Sequence, residues 1–174
     1  MRWRQNGYSR VDAVRYATTY ALSPNPAFRY FPVINNSSGD CTNFISQCLL
    51  AGGAKMQYNN SHPWWYNNKG TPNVMDDTWS IPWAVANSLY YYLKTNQEKK
   101  SPYVKGLEVY DKSLLDVGDL ICYEGNDGVV FHSAIITSFF NGEPLVSQHS
   151  FEALNIPYEK SWITRKHHFL KISI

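Results

Sequence analysis

The chain has 174 residues, 44% hydrophobic and 17% charged, with a formal net charge of +2, a composition that excludes disorder. Its length fits one domain, 1–174, able to bury about 68–70% of its unfolded surface. No Lys/Arg cluster exceeds a pair (Lys99-Lys100, Arg165-Lys166), so a nucleic-acid stripe is excluded, and no apolar run reaches the roughly 18 residues of a membrane span.

In chain order, Met1–Gly7 lacks an apolar core. This predicts no secretory leader in the chain as written, leaving open a cytoplasmic protein or a domain of a longer secreted one. A first helix is predicted over 9–22. Ser9 with Asp12 resembles a cap, Val11, Val14, Ala17 and Ala21 give one apolar face, and Ser23-Pro24-Asn25-Pro26 stops it. A loop over 23–39 leads to a second helix that begins at Cys41, is capped by Asp40 and ends at Gly52-Gly53, with Phe44, Ile45, Cys48 and Leu49 at helical spacing.

Residues 54–79 form a long connection rich in Trp, Tyr and Asn, and loops of that length in compact domains are usually functional. Ser80 then caps a helix over 81–95, tolerating Pro82 in its first turn and burying Trp83, Ala86, Leu89, Tyr90 and Leu93. Beyond a polar hinge the pattern turns to strands: 120–123, 129–138, 145–150 and 168–174. Asn141-Gly142 closes the second and third into a hairpin. Asp111, Asp116 and Asp119 read as residues of turns and strand starts. Helices first and antiparallel strands after make an α+β layout.

Chemistry points to Cys41. The first N–H groups of a helix lack internal partners and carry partial positive charge, so a thiolate there is favoured. With a histidinium beside it, its pKa is expected to fall from about 8.5 toward roughly 3.5–7.5. A nucleophilic cysteine needs a base, and the base an orienting partner. Folding the hairpin about Asn141 puts residue 132 opposite about 150. His132 is therefore the candidate base and His149 its orienter, with Gln148 the rival if the register slips by one. His62, His167 and His168 read as structural. Cys41, Cys48 and Cys122 form no disulfide framework, since 41 and 48 lie about 10 Å apart on one helix. No close ligand pair suits a metal, no G-x-S-x-G suits a serine hydrolase, and no cofactor is expected.

With 13 Tyr, 8 Phe and 6 Trp, the chain is aromatic-rich. Trp64, Trp65, Tyr66 and Trp79, set among Asn59, Asn60, Asn67 and Asn68, either line a substrate groove for sugar or peptide or cap the core.

The order of helix cysteine, Val117-Gly118-Asp119-Leu120-Ile121 strand, histidine-led strand and second polar residue resembles the NlpC-type and CHAP-type papain-like cysteine hydrolases of bacterial cell walls. Asp40-Cys41-Thr42-Asn43-Phe44-Ile45-Ser46-Gln47, with Tyr16-Ala17-x-x-Tyr20, Asn25-Pro26-x-Phe28 and Gln148-His149-Ser150, resembles more specifically the putative-amidase domain family of Gram-positive bacteria, over roughly residues 8–150. The resemblance implies a papain-like fold, with N-terminal helices packed on a C-terminal antiparallel sheet. It implies Cys41 as nucleophile, His132 as base and His149 or Gln148 as third member. An oxyanion donor is expected from the preceding loop, Asn35 or Tyr30, beside the Cys41 N–H. The implied activity is cleavage of an amide bond, in cell-wall peptidoglycan peptide, through a thioester, by a secreted or cell-surface monomer. Two other readings stay open: an inactive papain-like binding module, or an acyl-transfer enzyme using the same thioester.

Overall fold

The computed structural model describes residues 7–35 and 39–174. Its helices are α1 (Arg10–Tyr20), α2 (Cys41–Ala51), α3 (Ile81–Ala84) and α4 (Ala86–Glu98). Six strands form one antiparallel sheet: β3 (Lys105–Val109), β4 (Leu120–Glu124), β5 (Val130–Phe140), β6 (Glu143–Gln148), β7 (Ala153–Pro157) and β8 (Lys166–Ser173), in the order β3-β8-β4-β5-β6-β7. A separate pair, β1 (Tyr66–Asn67) with β2 (Thr78–Trp79), lies inside the long connection.

Local rules account for the start of α1 and the end of α2, whereas Ser80, expected to cap the third helix, turns its hydroxyl to the Trp65 N–H and makes no cap bond. The Ser9 hydroxyl accepts the Asp12 backbone N–H and caps α1. Small Ala13 and Ala17 are buried between α1 and the rest. α2 runs through the core with Thr42 to Leu49 all buried, so its polar side chains must find partners inside the protein. At its end Gly52 lets Tyr8 approach: a Cβ there would stand 2.4 Å from the Tyr8 ring. The predicted helix over 81–95 is broken at Val85, whose backbone is extended (φ −117°, ψ 121°). The break turns Val85, Ala86 and Asn87 toward the Cys41 end of α2.

The sheet is apolar on both faces. Leu120, Cys122, Ile135, Leu170 and Ile172 pack under the helices with Phe44, Ile45, Leu49, Trp64, Trp83 and Leu93. Ile121, Tyr123, Ala134, Ile136 and Val146 face the other way and are covered by Leu115 and Tyr158. The β5–β6 hairpin turns at Asn141 (φ 49°) and Gly142 (φ 79°), the two left-handed positions a two-residue turn demands.

β3 and β7 were not expected from the sequence. β3 sits at one edge, and β7 reads as Ala-Leu-Asn-Ile-Pro, with no clear alternation. Asp119 also does more than begin a strand. Its fully buried carboxylate accepts Arg10 Nη1 at 2.7 Å and the backbone N–H of Ile172 and of Asp116, each at 2.8 Å. Arg10 in turn donates to the carbonyls of Val117 and Ile172, clamping α1 to β4 and β8. Asp119→Ala is expected to lower stability by about 3 kcal/mol, because it strands a partly buried guanidinium and two N–H groups; urea unfolding measures the loss, and an unchanged midpoint would show that the clamp is dispensable.

Candidate active site

Cys41 is the first residue of α2 and is partly buried. Its sulfur lies 3.6 Å from the Thr42 hydroxyl and accepts the backbone N–H of Ser133, the residue after His132. The two side chains make no direct hydrogen bond: the Ser133 backbone stands between them, and His132 lies on the sheet face that carries Tyr123, while α2 packs on the other.

His132 sits in β5 opposite Tyr123 of β4, with the two rings 5.1 Å apart. Its Nε2 is 2.9 Å from Gln148 Oε1. The carboxamide is held in that sense by its own Nε2, which donates to the Phe151 carbonyl at 3.1 Å, while Ser161 Oγ also donates to Oε1. An oxygen facing the ring requires an N–H at His132 Nε2, so Nδ1 of the neutral ring carries the lone pair. That is the tautomer a base needs.

His149 does not orient His132. Strand side chains alternate, and Gln148 shares the face of His132 while His149 turns to the helices and stacks on Phe44, 4.1 Å between ring centroids. His149 Nδ1 lies 2.5 Å from Asp40 Oδ2, and its Nε2 lies 2.7 Å from the Tyr20 carbonyl. Asp40 makes no side-chain cap to α2 either. Its other oxygen accepts the Phe31 N–H at 2.9 Å and Asn43 Nδ2 at 2.8 Å, and its own N–H donates to Ser150 Oγ.

Burial reverses the expected charge state. It pushes the Cys41 thiol up, Asp40 adds to that, and the Thr42 hydroxyl with the Ser133 and Thr42 N–H groups only partly offset it. Burial also drives His132 down to about 4, against the pull of the Gln148 bond. The helix N-terminus does not outweigh desolvation, so the resting pair is neutral thiol and neutral imidazole.

A cavity of about 460 Å³ opens beside Cys41, walled by Phe31, Thr42, Trp79, Val85, Asn87 and Val130 among others. Neither oxyanion candidate lines it. The Tyr30 hydroxyl is committed to Glu152 at 2.8 Å, and Asn35 is exposed, next to residues 36–38, which lie outside the described region. Trp64 and Tyr66 are buried and do not line a groove: Trp64 packs on Trp83 and donates to Ser46 Oγ, and the Tyr66 hydroxyl bonds Asp77. Trp65 and Trp79 keep exposed area. Sequence reasoning missed Asn87, whose Oδ1 accepts the Val130 N–H at 3.1 Å and so leaves its NH₂ for the cavity. Nothing in the local pattern marks it. His62 bonds Asn96, and His168 bridges Glu108 and Glu124, away from this cavity. Among the described residues no cluster of His, Cys, Asp or Glu is arranged to hold a metal, and no helix is long and apolar enough to cross a membrane.

Residues 7–172 match the family described as "Putative amidase domain", and the chain belongs to that family. It is 34% identical over 153 residues to the uncharacterized protein YhbB of Bacillus subtilis (strain 168), covering 84% of this chain and 42% of that one. It is 32% identical over 169 residues to the uncharacterized protein YjcM of the same organism, covering 92% of this chain and 34% of that one. The chain thus spans less than half the length of either relative. No solved structure matches it.

The charge state has a direct readout in the pH dependence of Cys41 alkylation, followed by mass spectrometry. With the thiol raised by burial, reaction is expected to be slow at pH 6–7 and to rise with a midpoint above about 8.5. Fast labelling at pH 6–7 that is lost in His132→Ala would instead establish a thiolate–imidazolium pair.

Proposed function

We propose that this member of the family is a cysteine-dependent amidohydrolase in which Cys41 attacks, His132 carries the proton and Gln148 orients His132. The observation that carries the reading is the Gln148 carboxamide, fixed by Phe151 and Ser161 so that its oxygen meets His132 Nε2. That contact leaves Nδ1 as the base on the strand whose next N–H touches the Cys41 sulfur. The family's name supports amide hydrolysis, and the resemblance to papain-like cell-wall hydrolases supports peptidoglycan peptide as substrate and the cell surface as its setting.

Cys41 Sγ forms a bond to the amide carbonyl carbon as its proton passes to His132 Nδ1. A neutral pair suits this order, because the thiolate need exist only as the bond forms. The oxyanion gathers charge at the N-terminus of α2, where the Cys41 N–H is free of helical partners. His132 returns the proton to the leaving nitrogen, the C–N bond breaks, and a thioester and a free amine result. Water, deprotonated by His132, then attacks the thioester, releasing a carboxylic acid and restoring the thiol. Asn87 presents its NH₂ to the cavity as an anchor for a substrate carbonyl.

Variants separate these roles. Cys41→Ala is expected to abolish release of new amino groups from peptidoglycan fragments with circular dichroism unchanged, and His132→Ala to lower kcat by about 10²–10⁴. Gln148→Ala should lower kcat by about 10–100-fold with KM unchanged, as expected for a residue that acts through the base. His149→Ala should mainly lower the melting temperature. An active Cys41→Ala protein would end this reading.

A further inference from the structure

A second cavity, about 510 Å³, lies beside the first and is lined by Asn60, Pro63, Trp65, Trp79, Ile81 and Pro82 among others. Trp79 belongs to both walls, so the two cavities adjoin at its indole, the first reaching Cys41 and the second Trp65. Among the described residues no charged side chain lines either of them. Arg29 holds its guanidinium 5.6 Å from the Trp79 ring centroid yet lines neither cavity.

Exposed apolar side chains stand at the cavities: Ile81, in the wall of the second, is 68% exposed, Val85, in the wall of the first, is 46% exposed, and the exposed Tyr58 stacks on Trp65 with ring centroids 6.0 Å apart. The backbone behind Trp65 is held, its N–H donating to Ser80 Oγ at 3.0 Å, and the Trp79 ring packs on Phe31 with centroids 4.6 Å apart. Rings fixed before a ligand arrives lose little entropy on binding it.

We propose that the Trp65 cavity is a subsite for an uncharged pyranose ring, the sugar flanking the amide presented to Cys41. This rests on the reading of Cys41 as nucleophile only for the direction of the substrate. Indole faces take the C–H face of a sugar, and Asn60 supplies one donor and one acceptor for its hydroxyl or acetamido groups. The absence of charge from the lining argues against an acidic or basic peptide, which would be desolvated there unpaired. The peptide portion of the substrate then occupies the Cys41 cavity, beside Asn87.

The test titrates Cys41→Ala protein with the uncharged N-acetylglucosamine tetramer while following tryptophan indole N–H resonances by NMR, with tetra-alanine in parallel. Saturable shifts of the Trp65 and Trp79 signals are expected. Binding should weaken about tenfold or more in Trp65→Ala and in Ile81→Glu, as for loss of a stacked ring or burial of an unpaired charge. Ile81 is exposed enough that its replacement leaves the fold intact, which a melting curve checks. No saturation, equal affinity in both variants, or binding of tetra-alanine in preference to the glycan would overturn the subsite. Because this protein lacks the thiol, glycan binding stands or falls apart from hydrolysis. Bound glycan together with an active Cys41→Ala enzyme would remove the amidase reading and keep the subsite.

Discussion

The buried carboxylate of Asp40 joins the loop before Cys41, α2 and the end of β6. It takes the Phe31 N–H from the preceding loop, Asn43 from α2 and the His149 ring from the end of β6, while its own N–H reaches Ser150. His149 passes the connection on to the Tyr20 carbonyl at the end of α1 and stacks on Phe44. Both of its ring nitrogens face oxygen. Two groups so buried are costly to desolvate and stay in place only when paired and fully bonded. The pairing fixes the Cys41 end of α2 against the hairpin that carries His132 and Gln148. A cap residue by sequence thus serves as a tertiary joint.

Cys41 shows two familiar effects in competition. A helix N-terminus favours a thiolate, through an interaction worth typically 0.3–1 kcal/mol and up to about 2 in partly buried sites. Desolvation of a buried charge is larger, and here it acts on thiol and imidazole alike, in opposite directions. A neutral pair results, with Thr42 and Ser133 placed to stabilise the sulfur once substrate or proton transfer changes the balance.

The aromatic connection between α2 and α3 divides its side chains by depth. Trp64 and Tyr66 complete the core with Trp83, whereas Trp65, between them in the chain, keeps exposed area, as neighbours along an extended chain point to opposite sides. Trp79, the register partner of Tyr66, stacks beside it at the rim and lines both cavities. The break at Val85 matters equally. It ends α3 early and places Val85 and Asn87 beside Cys41, where one continuous helix would have carried them along its axis.

The helix that begins at Cys41, the Asn141-Gly142 hairpin and the α+β order were legible from the sequence, since caps, periodicity and turn residues act over a few neighbours. Cys41 and His132 were singled out the same way, one from its place at a helix start and the other from its place on a strand. The choice between Gln148 and His149 was not available there, because it turns on strand parity fixed by register across the sheet, and a one-residue shift exchanges the two. Nor were the depth of Trp64, the clamp at Asp119 or the position of Asn87, each set by partners tens of residues away. The protonation state of Cys41 belonged to the tertiary structure too, because desolvation depends on everything packed around a group and helix position only on what precedes it.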